Sequence, residues 1–167
     1  MTQPPGPATA LLAAQVVQLL TAAGRTVGTA ESLTGGLVAA AISTVPGASA
    51  VLRGGVVAYA PDVKASLLGV PAALLRQRGA VDPDVAAAMA TGARLALGAT
   101  FGVATTGVAG PDPSDGKPVG TVHVAVSGPA AGARRELRLS GSRAEIRAAA
   151  VRDALQLLVR LIQEQTG

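Results

Sequence analysis

Residues 26–45, TVGTAESLTGGLVAAAISTV, predict a strand, a tight turn and a helix in immediate succession. Residues 26–30 are strand-like, the segment 31–36 holds two adjacent glycines, and the apolar run 37–45 ends at Pro46-Gly47. Such a strand–turn–helix unit is typical of α/β proteins. Free backbone N–H groups are expected at the start of the helix, an arrangement that suits an oxyanion.

The rest of the chain alternates further helices and strands around this unit. Helices are predicted over 7–23, from Pro61 to a stop at Gly69, over 71–78, from an N-cap at Asp82 to residue 97, and from a capping box at Ser142 through residue 162. Strands are predicted over 54–60 (buried), 100–105, 119–127 and 134–140, the last two forming an antiparallel pair. The pattern predicts an α/β fold, a three-layer α/β/α sandwich with a mixed sheet. We expect one domain at residues 7–167 behind a flexible tail at residues 1–6, with ligands beyond the carboxyl ends of the strands.

The composition limits the chemistry that the chain can carry. Tyr59 and Phe101 are the only aromatic residues, so the core must be aliphatic. The chain has no cysteine, which excludes disulfides and thiol nucleophiles. A single histidine, His123, cannot build a His-rich metal site. We therefore expect neither a metal nor another cofactor, although an all-oxygen magnesium site stays open.

Charge and hydropathy indicate the kind of partner. The formal net charge is +4, and six of the fourteen basic residues lie between Arg134 and Arg152. Aromatic residues for base stacking are missing there, so we expect a small-molecule partner rather than nucleic acid. The basic residues are expected on a solvated helix face and a strand edge, with an anion or nucleotide contact as the alternative. The chain shows neither a secretory signal nor a membrane-spanning run, which predicts a cytoplasmic protein without membrane association. The alanine-rich surface and the long last helix favour a homo-oligomer.

Lysine occurs only twice, at Lys64 and Lys117, whereas arginine occurs twelve times. A desolvated lysine near a helix N-terminus can lose its proton and act as a base, which arginine cannot do. Ser32 needs such a base to become a nucleophile, and Tyr59 could relay or orient the proton. Three structural alternatives stay open: Ser32 as a helix cap, Tyr59 as a buried packing residue, and Lys64 as an exposed residue.

A second glycine-rich segment follows the strand predicted at 100–105. Residues 105–112, TTGVAGPD, lead through a long loop into KPVGT at 117–121. Glycines let the backbone approach a ligand closely, and threonine hydroxyls can bind phosphate or ribose. The spacing is neither that of a Walker loop nor that of a dinucleotide-binding turn. A connection that serves only for tight turning is the alternative.

Together these motifs resemble the CinA C-terminal domain family, the nicotinamide-nucleotide amidases. The similarity runs in one order along nearly the whole chain, through the stretches at residues 29–36, 54–59 with Lys64, 68–70, 79–81, 106–111, 117–122 and 141–143 with Arg147. It implies a stand-alone enzyme that hydrolyses the carboxamide of nicotinamide mononucleotide to nicotinate mononucleotide and ammonia, without a metal. Ser32 matches the family's nucleophile, and Tyr59 and Lys64 match the residues that work with it.

Binding roles follow as inferences from this resemblance. We expect the oxyanion on backbone amides near Gly35 and Gly36, with Thr34 beside them on the substrate side. The ribose and phosphate are expected toward Thr106, Gly107, Gly110 and Arg147.

Three positions depart from the family pattern. Ala60-Pro61 removes a side-chain cap from the helix that carries Lys64, so its first turn is expected to shift slightly. Pro113-Ser114-Asp115 replaces a glycine pair and changes the flexibility expected on the substrate side, and Ser142 replaces an acidic residue.

Two other functions stay open at this point. One is a non-enzymatic module, competence- or DNA-associated or regulatory, because many relatives carry this domain fused to another. The other is an amidase that acts on a different amide.

Overall fold

The computed structural model describes residues 4–167. The helices of these residues are α1 (Pro7–Ala23), α2 (Leu37–Ser43), α3 (Pro61–Leu68), α4 (Ala72–Arg78), α5 (Pro83–Ala96) and α6 (Arg143–Thr166). The strands are β1 (Val27–Glu31), β2 (Leu52–Val57), β3 (Phe101–Gly107), β4 (Thr121–Ser127) and β5 (Gly132–Arg138). A short 3-10 helix, Ala48–Ala50, precedes β2.

The five strands form one mixed sheet in the order β2-β1-β3-β4-β5. Strand β1 is parallel to its two neighbours, β2 and β3, while β4 and β5 run antiparallel as a hairpin. Apolar side chains of α1, α2 and α6 fill one face of the sheet, and those of α3 and α5 fill the other. The predicted α/β/α sandwich is therefore confirmed. The carboxyl ends of β1, β2 and β3 meet at one edge, where parallel sheets bind their ligands.

Helix caps and one glycine determine where the helices begin and how closely they pack. Asp82 caps α5 by accepting a hydrogen bond from the amide of Asp84 (2.8 Å), and Ser142 and Glu145 form the predicted capping box of α6. Gly92 lets α5 approach α3, because a Cβ at this position would lie 2.0 Å from the carbonyl oxygen of Leu68. This close contact packs α3 against α5, and Lys64 of α3 then reaches Ser32 at the carboxyl end of β1.

The prediction of a buried strand at 54–60 is wrong. The strand is β2, Leu52–Val57, and its residues alternate between half-buried and exposed because β2 is an edge strand that pairs only with β1. A run of small and β-branched residues does not by itself show whether a strand lies at the edge or in the centre of a sheet. The strand predicted at 134–140 instead begins at Gly132, because the hairpin turn closes through a hydrogen bond from the Gly128 amide to the Ala131 carbonyl.

The N-terminus is described only in part. Of the tail predicted at residues 1–6, residues 1–3 lie outside the described residues, and residues 4–6 lead directly into α1. Across residues 4–167, no helix combines the length and the apolar character needed to cross a membrane.

Candidate active site

Ser32 lies immediately after β1, which pairs with β2 and β3, at the edge where the parallel strands end. Its amide donates a hydrogen bond to the carbonyl of Thr105 at the end of β3 (3.0 Å), and only 8% of the residue is exposed. The chain then turns through Gly35 and Gly36, whose φ angles of 58° and 100° are favourable only for glycine. The two glycines thus allow the turn between β1 and α2 to bring a serine hydroxyl to the rim of the sheet.

Lys64 is fully buried and its amine contacts the Ser32 hydroxyl. The Nζ atom lies 3.1 Å from Ser32 Oγ, 2.8 Å from the Ala58 carbonyl oxygen and 3.1 Å from the Tyr59 carbonyl oxygen. A neutral amine has two N–H bonds and one lone pair. If the two carbonyls accept both N–H bonds, the lone pair is directed at the Ser32 hydroxyl. The same three oxygens accept the three N–H bonds of the ammonium form, so the amine can gain a proton without moving.

Burial also favours the neutral form of this amine. Desolvation lowers the pKa of Lys64 from 10.5 to about 8, while the negative charge of Asp115 opposes the shift. With this pKa, about a tenth of the molecules carry the neutral amine at pH 7, several hundred times the fraction of an ordinary lysine. The geometry and the lowered pKa together suit Lys64 to remove a proton from Ser32, and they exclude the alternative of an exposed lysine.

Helix α3 carries Lys64 into this position. Its N-cap is Ala60, whose side chain makes no capping hydrogen bond, and Pro61 is its first residue. The helix nevertheless closes its first turn, because the amide of Lys64 donates to the Ala60 carbonyl (3.2 Å). Proline is preorganised for this position and needs no hydrogen-bond partner. The turn that bears Lys64 is therefore formed without a side-chain cap.

Glu31, which the sequence reasoning did not select, is buried behind Ser32. Its carboxylate accepts hydrogen bonds from the amides of Val38 (2.8 Å) and Ala39 (3.1 Å) at the start of α2. It also accepts from the hydroxyls of Thr34 (2.7 Å) and Thr29 (3.3 Å). The signal in the sequence was a carboxylate at the end of a buried strand, directly before a helix N-terminus, where acidic groups are favourable.

The expectation of free amides at the start of α2 is corrected by these contacts. In α2 the amide of Leu37 donates to the Thr34 carbonyl (3.1 Å) and those of Val38 and Ala39 donate to Glu31, while in the turn the amide of Gly35 donates to the Ser32 carbonyl (3.0 Å). In the part of the chain that the structure describes, the amides of Leu33, Thr34 and Gly36 donate no hydrogen bond. Donors for an oxyanion are therefore available in the turn and not in the helix.

Thr34 joins this turn to β3 through a chain of hydroxyls. Its Oγ1 lies 2.7 Å from Glu31 Oε1 and 2.7 Å from Thr105 Oγ1. An ionised carboxylate only accepts, so Thr34 donates to Glu31 and Thr105 donates to Thr34. The hydroxyl of Thr34, predicted on the substrate side, is thus used within the protein.

Tyr59 lies at the rim, but its hydroxyl does not reach the Ser32–Lys64 pair. The residue is 57% exposed, and its hydroxyl accepts a hydrogen bond from the guanidinium of Arg143 (2.9 Å). Its contact with Lys64 is made through the backbone carbonyl. The structure therefore brings Tyr59 to the site without placing its phenol in a proton relay, and it also contradicts the alternative of a buried packing residue.

The residues predicted to hold ribose and phosphate surround the site, and most of their polar groups are already used. Thr106 donates its hydroxyl to the Ala80 carbonyl (2.7 Å), and Arg147 donates to the carbonyls of Leu33 (2.9 Å) and Thr34 (3.3 Å). Gly107 permits close packing on β4, and the carbonyl of Gly110 accepts from Arg143 (2.7 Å). Their contact with a substrate stays a prediction. What the structure shows is that Arg147 holds the turn that carries Ser32.

Arg143 is a second residue at the rim of the site that the sequence reasoning did not select. It is the first residue of α6 and links the Tyr59 hydroxyl to the Gly110 carbonyl, so it joins two loops at the rim. Two arginines from the first turns of α6 therefore lie along one side of the site. Among residues 4–167, no three His, Asp or Glu side chains are grouped as a metal site would require.

Comparison with known proteins shows which family this chain resembles. The family model described as "CinA C-terminal domain" matches residues 9–162. A CinA-like protein of Frankia casuarinae is 53% identical over 147 residues, which are 88% of this chain and 34% of the relative. A CinA-like protein of an Anaeromyxobacter species is 52% identical over 148 residues, 88% of this chain and 36% of the relative. The chain thus spans about a third of the length of the curated relatives it matches.

Solved structures of similar proteins have the same fold. The competence/damage inducible protein CihA of Agrobacterium tumefaciens is 42% identical, with a TM-score of 0.91 over 96% of this chain and 99% of that chain. A CinA superfamily protein of Klebsiella pneumoniae is 33% identical, with a TM-score of 0.89 over 93% of this chain and 98% of that chain. The chain belongs to the CinA C-terminal domain family.

Proposed function

We propose that this protein hydrolyses the carboxamide of nicotinamide mononucleotide to nicotinate mononucleotide and ammonia. The observation that carries the proposal is the 3.1 Å contact between the buried amine of Lys64 and the hydroxyl of Ser32. A serine that contacts a lysine with a lowered pKa is a nucleophile next to its base. The choice of substrate rests on the family resemblance, and two arginines at the rim are compatible with a phosphate-bearing substrate.

The first half of the reaction would form an acyl-enzyme. Ser32 Oγ attacks the carboxamide carbon while Lys64 takes the hydroxyl proton, and the carbonyl oxygen becomes an oxyanion. The amides of Leu33, Thr34 and Gly36 are the donors that lie free in the turn. Lys64 then gives its proton to the amide nitrogen, the C–N bond breaks, and ammonia leaves an ester on Ser32.

The second half would release the carboxylate. A water molecule attacks the ester carbon while Lys64 takes a proton from it, and the same amides stabilise the second oxyanion. The C–O bond to Ser32 then breaks, and Lys64 returns the proton to Ser32 Oγ. Every proton passes through Lys64: the two backbone carbonyls accept from its amine in both charge states, while Ser32 Oγ donates to the neutral amine and accepts from the ammonium form.

Ammonia release by the purified protein tests the proposal. Nicotinamide mononucleotide is the substrate, nicotinate mononucleotide is identified by mass, and Ser32→Ala and Lys64→Arg are compared with the unchanged protein. We expect both variants to fold and to lose activity by a factor of about a thousand or more. Nicotinamide riboside, nicotinamide and amino-acid amides form the comparison set. Turnover of one of these instead of the nucleotide would keep the Ser32–Lys64 chemistry and replace the substrate.

A DNA-associated role was the alternative, and the names of the solved relatives refer to competence and damage. The arginines of β5 offer little support for it, because Arg134 pairs with Asp84, Arg135 with Asp153 and Arg138 with Glu136. Cations already paired with carboxylates form a poor phosphate-binding surface. Filter binding at two salt concentrations tests this role, since a surface that neutralises phosphates loses affinity steeply with salt.

A further inference from the structure

Glu31 is the most heavily hydrogen-bonded buried side chain at the site, and the proposed reaction does not use it. It is 1% exposed, and each of its carboxylate oxygens accepts one amide and one hydroxyl. Oε1 accepts from the Val38 amide and Thr34, whereas Oε2 accepts from the Ala39 amide and Thr29. The four donors come from β1, the turn and α2, so one carboxylate joins all three segments.

The contacts of Glu31 decide which amides remain available to a substrate. Without its carboxylate, the amides of Val38 and Ala39 would be free at the start of α2, where they would attract an anion. Because Glu31 occupies them, the free donors are those of the turn that follows Ser32. The carboxylate thus fills the helix N-terminus and directs the oxyanion to the turn.

The same carboxylate fixes the position of the turn relative to β3. Glu31 accepts from Thr34, Thr34 accepts from Thr105, and the carbonyl of Thr105 accepts the Ser32 amide. Glu31, Thr34 and Thr105 are all buried, so water does not compete for these hydrogen bonds. Both ends of the turn are therefore held by one connected network.

We propose that Glu31 is a positioning residue for acyl transfer, one that sets the Ser32–Gly36 turn so that the turn amides bind the oxyanion. This inference rests on the proposed function of Ser32 as an acyl nucleophile. Glu31 acts on the transition state through the amides and has no contact with Lys64.

Glu31→Gln tests this positioning role most directly, because it keeps the size of the side chain and replaces one acceptor with a donor. Glutamine has one oxygen and one NH₂ group, and each carboxylate position faces a backbone N–H. In either orientation of the glutamine amide, its NH₂ group faces the backbone N–H of Val38 or Ala39. Two donors cannot share a hydrogen bond, so the side chain must shift, and the turn that it holds through Thr34 must shift with it. We expect kcat to fall by a factor of about a hundred, KM to change by less than about threefold, and the pH at which activity rises to stay the same because Lys64 is untouched.

A stability control separates positioning from general loosening of the fold. Leu20→Ala opens a cavity in the core at the C-terminal end of α1, at the opposite edge of the sheet from Ser32, and lowers the unfolding temperature. We expect its kcat to match that of the unchanged protein at a temperature where both are folded. A similar loss of kcat in both variants, or an unchanged kcat in Glu31→Gln, would overturn the proposal. If Glu31→Gln does not fold, Thr34→Val, which breaks the link to Thr105, should lower kcat by about tenfold with little change in KM.

Labelling of Ser32 by an alkyl fluorophosphonate gives a readout that needs no amide substrate. The Oγ–P bond forms, fluoride leaves, Lys64 takes the proton, and the turn amides bind the phosphoryl oxygen. We expect Glu31→Gln to label at least about tenfold more slowly than the unchanged protein and Leu20→Ala to label at the same rate. An unchanged protein that labels at Ser32 but releases no ammonia would overturn the proposed function alone. One that does neither would overturn both inferences.

Discussion

The ε-amine of Lys64 lies 3.1 Å from the hydroxyl of Ser32, and two backbone carbonyls, those of Ala58 and Tyr59, hold it there. The carbonyls are fixed by the path of the chain between β2 and α3. They orient the amine without adding a charged partner that would keep it protonated. This arrangement explains how a lysine can serve as a base at this site.

Activity should rise with pH up to the pKa of Lys64. The reaction needs the neutral amine, and burial lowers the pKa of Lys64 from 10.5 to about 8. We expect kcat/KM to increase about tenfold per pH unit below pH 8 and to level off above it. A profile already level between pH 6 and pH 9 would contradict Lys64 as the base.

Removing the charge of Asp115 should move this profile to lower pH. Asp115 raises the pKa of Lys64, so Asp115→Asn leaves the amine neutral at a lower pH. We expect the rise in kcat/KM to shift downward by a few tenths of a pH unit, measured in constant-ionic-strength buffers. Asp112→Asn, in the same loop, is the matched control and should leave the profile in place. A shift to higher pH in Asp115→Asn would contradict the assignment.

Lys64→Met should abolish activity and stabilise the fold at neutral pH. The folded-state pKa is lower than the unfolded value, so between about pH 8 and pH 10.5 the unfolded chain binds more protons and stability rises with pH. Below pH 8 the cost of the buried charge is fully present, about 3 kcal/mol before the lost hydrogen bonds are subtracted. Urea unfolding at pH 7.5 and pH 10 should show that the advantage of Lys64→Met shrinks at the higher pH. An advantage that grows with pH would show that the pKa of Lys64 is raised, not lowered.

Tyr59→Phe should retain most activity. The phenol hydroxyl contacts Arg143, and Lys64 uses only the backbone carbonyl of Tyr59. We expect kcat within about fivefold of the unchanged protein, with a larger effect on KM. Arg143→Met, which also frees the Gly110 carbonyl, should raise KM further. A loss of kcat by about a hundredfold in Tyr59→Phe would contradict this prediction and indicate that the phenol takes part in proton transfer.

The sequence predicted the layers of the fold and the pairing of Ser32 with Lys64, because both depend on local patterns. Alternating helices and strands, a glycine turn after a strand and a rare lysine after an N-terminal proline are all visible along the chain. The sequence predicted free amides at the start of α2, whereas those of Val38 and Ala39 donate to Glu31, a contact that depends on where the Glu31 side chain points. The edge position of β2 and the contacts of Arg147 were also missed. They arise from pairing and packing between segments far apart in the sequence.

Arg147 lies on α6, yet its guanidinium donates hydrogen bonds to the carbonyls of Leu33 and Thr34, more than a hundred residues earlier in the sequence. During synthesis on the ribosome, Ser32 emerges more than a hundred residues before the guanidinium that holds its turn. The Ser32 turn would therefore gain its full set of contacts only after α6 has emerged and docked against it.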